Sequence, residues 1–355
     1  MHGPVVTGDR TGRGQAMVSS RVAGSVPGRM GNDATGLSGY RPVRSLLVGT
    51  GHEGVATQAS APWLGAGPRP AKWRGFPPEG FIIGAQKAGT TTLAAMLDQH
   101  PQIAVARPKE PDFFHVNWDR GIDWYRSCFR ESRDILVDAS PSYTMSSLEH
   151  EPNGEAETIP ARIHALQPRA RFIYLVRDPA ERCHSAYWHE VRAGREQRSL
   201  RDAVAEQAYY SHASYYYRQL SRFLHYFPLE RFLFVPFDDL IRDPAAVAGE
   251  CARFLGATPA DFQFRDTGPK NQGFRYNRFG RFAQDRLGEG GLRLASRVVS
   301  RLLPRRLQRH VKRAITEDIP ALTDDDRTWL GERFFADAFR FERLTGLRAT
   351  ATRES

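Results

Sequence analysis

Phe81-Ile82-Ile83-Gly84-Ala85-Gln86-Lys87-Ala88-Gly89-Thr90-Thr91-Thr92 is the stretch on which the reading of this chain turns. Phe81–Gly84 is a short, wholly apolar run, as expected of a strand buried on both faces. A helical pattern runs from Thr91 to Gln99. The loop between them holds Lys87, Gly89 and three threonines. Where a strand feeds a helix in this way, backbone N–H groups and the positive helix end converge on one point, which suits a phosphate. Gly89 lets the backbone come close, Thr90 and Thr91 offer hydroxyls, and Lys87 offers a compact charge. The bland alternative is an ordinary turn with a solvated lysine. The ordered run of strand, lysine, glycine, threonines and helix favours the phosphate site. It is not the nucleoside-triphosphate loop G-x-x-x-x-G-K-[ST], because Lys87 precedes Gly89 rather than following a second glycine.

Further strands are expected at Ile135–Val137, Phe172–Val176 and Phe232–Val235. Helices are expected at Pro179–Ala193, at Ala245–Leu255 ended by Gly256, and at Asp324–Leu344 between a Thr323 cap and a Gly346 stop. Apolar strands alternating with helices point to a P-loop-like three-layer α/β domain, with a central parallel β-sheet flanked by helices. The Phe172–Val176 strand runs into Arg177 and Asp178, which suggests an anion contact rather than a magnesium ligand.

With 355 residues, 41% hydrophobic and 25% charged, the chain can bury a sizeable core. Residues 1–75 are rich in Gly, Ser, Pro and Arg without apolar periodicity, and read as a disordered arm. The folded domain is expected over 76–348, with a tail at 349–355. No run reaches the ~18 apolar residues of a membrane span, and no signal peptide is evident. The expected location is cytoplasmic, with peripheral attachment to a membrane left open. Cys128, Cys183 and Cys251 are too few and too scattered for a disulfide framework or a zinc site. The net charge of +10 suggests an anionic partner.

Further motifs follow in chain order: His100-Pro101, Lys109-Glu110-Pro111-Asp112-Phe113-Phe114, Gly121-Ile122-Asp123-Trp124-Tyr125 and Ser140-Pro141-Ser142-Tyr143. Arg177-Asp178-Pro179 with Arg182, Ser185 and Tyr187 comes next, then Lys270-Asn271-Gln272-Gly273-Phe274. Together with Gln86–Thr91 they resemble the sulfotransferases that use 3′-phosphoadenosine 5′-phosphosulfate (PAPS), above all the heparan-sulfate and bacterial carbohydrate enzymes. The likeness runs from about Pro78 to Gly346.

That resemblance implies transfer of a sulfuryl group from PAPS to a hydroxyl or amine, on a small-molecule, carbohydrate or glycoconjugate acceptor, with no metal needed. It implies that Lys87 holds the bridging oxygen and the leaving 5′-phosphate. Gln86, Ala88, Gly89, Thr90, Thr91 and Thr92 complete the loop. Arg177 and Ser185, eight residues apart, would meet the 3′-phosphate. Lys270, Gly273 and Phe274 would close over the nucleotide, and Arg275 would reach a phosphate. Glu110 is the implied base, with Lys109 beside it. His115 is the competing base, and Asp112 reads as a solvated loop residue. The sequence departs from the animal heparan enzymes in lacking their cysteine-bracketed loop and their basic Ser-Lys-Gly-Arg segment. Ala139 stands where several members have lysine. His184, Tyr187, Trp188, His189 and Glu190 either face the cleft or simply pack, and the same choice applies to Tyr209-Tyr210 and Tyr215-Tyr216-Tyr217 with Arg218.

From Arg278 to Arg313 eleven Lys/Arg face two acids, a local excess of +9. An anionic polymer, a membrane surface and a solvated helix packed on the domain are competing readings. No nucleic-acid motif accompanies the charge. Two other functions stay open: an NTP-dependent kinase of related fold, which the misplaced lysine disfavours, and a non-catalytic anion- or membrane-binding scaffold.

Overall fold

The structure, a computed structural model, describes residues 76–131, 133–146, 158–258, 264–265, 275–276 and 316–349, with single positions at 286 and 307. The N-terminal stretch 1–75, nearly all of the basic stretch 278–313, and Lys270, Gly273 and Phe274 lie outside the described residues.

The chain enters through β1 (Gly80–Gly84), α1 (Thr90–Leu97), β2 (Ile103–Val105), α2 (Gly121–Ser127) and β3 (Ile135–Asp138). It continues through α3 (Thr158–Leu166), β4 (Arg171–Val176), α4 (Pro179–Arg192), α5 (Leu200–Glu206), α6 (Tyr209–His212) and α7 (Tyr216–Leu224). Then follow β5 (Phe232–Pro236), α8 (Phe237–Arg242), α9 (Pro244–Leu255), the short strands β6 (Arg275–Tyr276) and β7 (Thr316–Glu317), and α10 (Asp324–Thr345).

The main sheet has five strands in the order β2-β3-β1-β4-β5. Every pairing within it is parallel. After β1 the chain moves towards β2, whereas after β4 it moves to β5 on the other side. The reversal lies between β1 and β4, and in open α/β sheets ligands bind at the carboxyl ends of strands at such a point. The two strands run in register through Ile82↔Ile173, then shift, so that Gly84 faces Tyr174. A backbone bond from Ala85 N–H to Leu175 O at 2.8 Å carries the ladder into the loop.

Alternation of side chains divides the core between the two faces of the sheet. Phe81, Phe172 and Phe232 are laterally paired. On their face Phe172 stacks on Phe232 at 4.8 Å and meets Phe223 of α7 and Phe227 edge-on. On the other face α9 comes so close that a Cβ on Gly80 would lie 2.9 Å from Leu255 Cδ2. A second cluster joins Ala180, Cys183 and Ala186 of α4 to Leu330 and Phe334 of α10. The expected caps are present: Thr323 accepts from Asp326 N–H, and left-handed Gly256 and Gly346 end α9 and α10. The three cysteines are buried free thiols. No helix among the described residues is long and apolar enough to cross a membrane.

Candidate active site

The loop after β1 and the turn after β4 meet at the sheet reversal. Lys87 and Gly89 both adopt left-handed backbone, with φ of 70° and 91°. The first is uncommon for a residue with a Cβ and marks a constrained turn. Gly89 is the N-cap of α1, and no side chain caps that end. Thr92 N–H bonds back to the Gly89 carbonyl at 3.0 Å, which leaves the amides of Thr90 and Thr91 at the open end of the helix, towards the loop.

Arg177 reaches across from β4. Its Nη1 donates to the Lys87 carbonyl at 3.3 Å, and its guanidinium lies 4.8 Å over the Phe237 ring of α8. Asp178 caps α4 by accepting from Glu181 N–H at 2.9 Å, and Pro179 follows at the first turn. Ser185, partly buried, is four residues beyond Glu181 and so shares its helix face.

Burial pulls the Lys87 ammonium down to about 8, helped by Arg192, Arg182 and Arg177 and opposed by Glu190. The same cationic surroundings act on His189. Burial, then Lys87 and Arg192, hold its imidazole at about 4, so it is neutral near pH 7. Arg192 lies 2.9 Å from His189 Nδ1. On this side Gln86 Nε2 donates to the Tyr209 hydroxyl at 3.1 Å. Glu190 accepts from Arg195 Nε at 2.6 Å, with the Tyr209 hydroxyl 3.5 Å away. The sequence left His189, Glu190 and Tyr209 between cleft and packing, and their contacts with the loop, with Arg192 and with Arg195 appear only in the fold.

Glu110 stands opposite, on the loop after β2. Lys109 Nζ bridges it to the phosphate loop, 2.6 Å from Glu110 Oε1 and 3.4 Å from Thr90 Oγ1. The Glu110 side chain is 45% exposed. His115, the competing base, is exposed one turn further on, its N–H donating to Asp112 O at 3.2 Å.

Asp112 is not the solvated residue expected from its loop setting. It is half-buried with φ of 48°, its N–H donates to Ser140 Oγ at 3.0 Å, and its carboxylate accepts from the Ser142 hydroxyl. Burial raises its pKa, the Ser142 bond opposes this, and the Glu110 charge adds to it. Ser140 in turn donates to Asp138 Oδ1 at 2.6 Å, and Tyr125 and Tyr143 both donate to Asp138 Oδ2 at 2.8 Å. The Ser140-Pro141-Ser142-Tyr143 segment thus holds the Glu110 loop against the end of β3.

Most of the flanking aromatics pack. Tyr210 and Tyr216 are buried, Tyr215 meets Phe334 edge-on at 5.2 Å, and Trp188 donates to His184 at 2.8 Å. Tyr209, 36% exposed, is the member of the tyrosine group that reaches the phosphate loop. Arg275 pairs through its backbone with Glu317 in the two-stranded sheet. Among the described residues no group of His, Cys, Asp and Glu could hold a metal ion.

A model described as "Sulfotransferase family" matches residues 78–261. Human heparan sulfate glucosamine 3-O-sulfotransferase 6 is 32% identical over 204 residues, which is 54% of this chain and 56% of that protein. Human bifunctional heparan sulfate N-deacetylase/N-sulfotransferase 2 is 32% identical over 212 residues, 51% of this chain and 22% of that protein. The chain thus spans about half the length of the first relative and under a quarter of the second. In fold it is like a solved sulfotransferase from Alicyclobacillus acidocaldarius, with a TM-score of 0.55 at 23% identity over 76% of this chain and 96% of that one. A family match across more than half of the sequence, on the segment that builds the loop, Glu110 and Arg177, identifies the chain as a member of the sulfotransferase family.

Proposed function

We propose that this protein transfers a sulfuryl group from PAPS to a hydroxyl or amine of a carbohydrate or glycoconjugate. The observation that carries this reading is the convergence of Lys87, Arg177 and the uncapped start of α1 at the sheet reversal, with Glu110 tied to the same loop through Lys109. The donor supplies an activated sulfuryl group whose leaving group is a nucleotide phosphate. Lys87 and the amides of Gly89, Thr90 and Thr91 bind and neutralise that phosphate, the form of catalysis in which positioned charge does most of the work. Arg177 and Ser185 take the 3′-phosphate. Glu110 accepts the proton of the acceptor as its oxygen or nitrogen bonds to sulfur. The heparan sulfate enzymes among the relatives support a sugar acceptor. An acidic glycan would also suit the basic stretch 278–313.

The test is calorimetry with adenosine 3′,5′-bisphosphate, the desulfated product. Binding without added metal is expected, with Lys87→Ala and Arg177→Ala each weakening it by about tenfold or more. Unchanged affinity in both variants would overturn the assignment.

A further inference from the structure

The family match ends at residue 261, yet α10, which begins at Asp324, reaches the donor side of the site. Arg327 on its first turn donates to Glu181 Oε1. The other oxygen of the same carboxylate accepts from Arg177 Nη2 at 3.5 Å. Glu181 is therefore shared between an arginine facing the donor site and one supplied by the C-terminal helix.

The placement of Arg327 is well supported. The Thr323 cap fixes the first turn of α10, and Arg201 pairs with Asp326 at 2.7 Å. Leu330 and Phe334 pack against Ala180, Cys183 and Ala186, which holds α10 along α4.

Arg177 is held differently. The hydrogen bonds of its guanidinium, at 3.3 and 3.5 Å, are long against the ~2.8 Å of a strong charge-assisted bond. Ring stacking on Phe237 orients the guanidinium plane without using its donors. The group is thus aimed yet free to take an anion. A carboxylate beside it works against that task. Unneutralised, Glu181 would clamp Arg177 and repel an incoming dianion. The Arg327 guanidinium removes that obstacle.

We propose that Arg327 is a positioning residue for recognition of the donor's 3′-phosphate: by neutralising Glu181 it leaves Arg177 available to the nucleotide. This rests on the assignment of Arg177 to the 3′-phosphate. It makes the C-terminal helix part of donor selectivity.

Two nucleotides separate this role from a structural one: adenosine 3′,5′-bisphosphate, and adenosine 5′-monophosphate, which lacks the 3′-phosphate. Affinities are measured by calorimetry on the full chain, with thermal unfolding as a control. Arg327→Ala is expected to weaken the bisphosphate about tenfold, the effect of one uncompensated charge near a partly buried anion, and the monophosphate less than about twofold. Arg327→Lys should retain most of the preference. Adding Glu181→Gln to Arg327→Ala should restore it, since no charge is then left to neutralise. No loss in Arg327→Ala, an equal loss for both nucleotides, or no recovery in the double variant would each overturn the proposal. A wild-type protein that binds both nucleotides alike would instead overturn the donor assignment, and this proposal with it.

Discussion

Lys87 is the residue whose charge state most affects the site. Its ammonium titrates near about 8 because it is buried among arginines. An anion binds the protonated form, so affinity for adenosine 3′,5′-bisphosphate should be nearly flat between about pH 7 and 8 and fall above that. The fall should approach tenfold per unit until the higher pKa of the complex is reached. The phosphates themselves titrate near pH ~6 and do not confuse the profile. Calorimetry from about pH 6.5 to 9.5 checks this, and Lys87→Met should flatten the curve while lowering it. Glu110 gives the complementary test. It touches the loop only through Lys109, so Glu110→Gln should hold nucleotide affinity within about twofold and lower sulfate transfer at least about a hundredfold. Retained transfer would move the base to His115 or Asp112. Lys87, Glu110 and Arg177 were singled out in the sequence with the help of the family resemblance, and the structure brings Arg177 to the Lys87 loop and joins Glu110 to it through Lys109. The setting of Asp112 was not legible there, because an aspartate in a Pro-Asp-Phe loop carries no mark of the Ser142 hydroxyl that reaches it from thirty positions away.

At the scale of elements, legibility followed the length of apolar runs and the chemistry of helix ends. β1, β4, β5, α4, α9 and α10 lie within a residue or two of their expected bounds, since the strands are sustained apolar runs and the helices have a side-chain cap or a glycine stop. β2 has only Ile103, Ala104 and Val105, too few to show a period. α7 opens at Tyr216, inside a tyrosine group whose outward appearance suggested a cleft. The start of α1 has little room for a side chain. A Cβ on Gly89 would lie 2.7 Å from Leu240 Cδ2 of α8, and φ of 91° disfavours any side chain there. Gly89→Ala should cost about 1–3 kcal/mol in urea unfolding. It should also weaken bisphosphate binding, because α8 carries the Phe237 ring beneath Arg177. A variant as stable as wild type with full affinity would refute this account of the loop.

At the scale of the whole molecule, folding confers a pH dependence through one buried acid. Asp138 is fully buried, and desolvation lifts its carboxyl from 3.8 to about 6 despite the hydroxyls of Ser140, Tyr125 and Tyr143. The native state therefore holds this proton more tightly than the unfolded chain does. The contribution is fully present below about pH 4 and is lost as pH rises through about 6, by up to ~3 kcal/mol. Urea unfolding of wild type against Asp138→Asn, from about pH 4 to 7, should show the slope in the wild type alone. Asp138 also orients the hydroxyls that hold the Glu110 loop, which joins that loop to β3, whereas Lys87 and Arg177 come from the ends of β1 and β4. On the proposed function the sheet divides labour by strand: one half would serve the donor and the other would carry the group facing the acceptor. Evolution, or an engineer, can exchange the segment from the end of β2 to the turn after β3 for that of a relative, provided the Lys109 bridge is kept. On that reading such a chimera would change the molecule that receives sulfate and leave the currency in which it is delivered untouched.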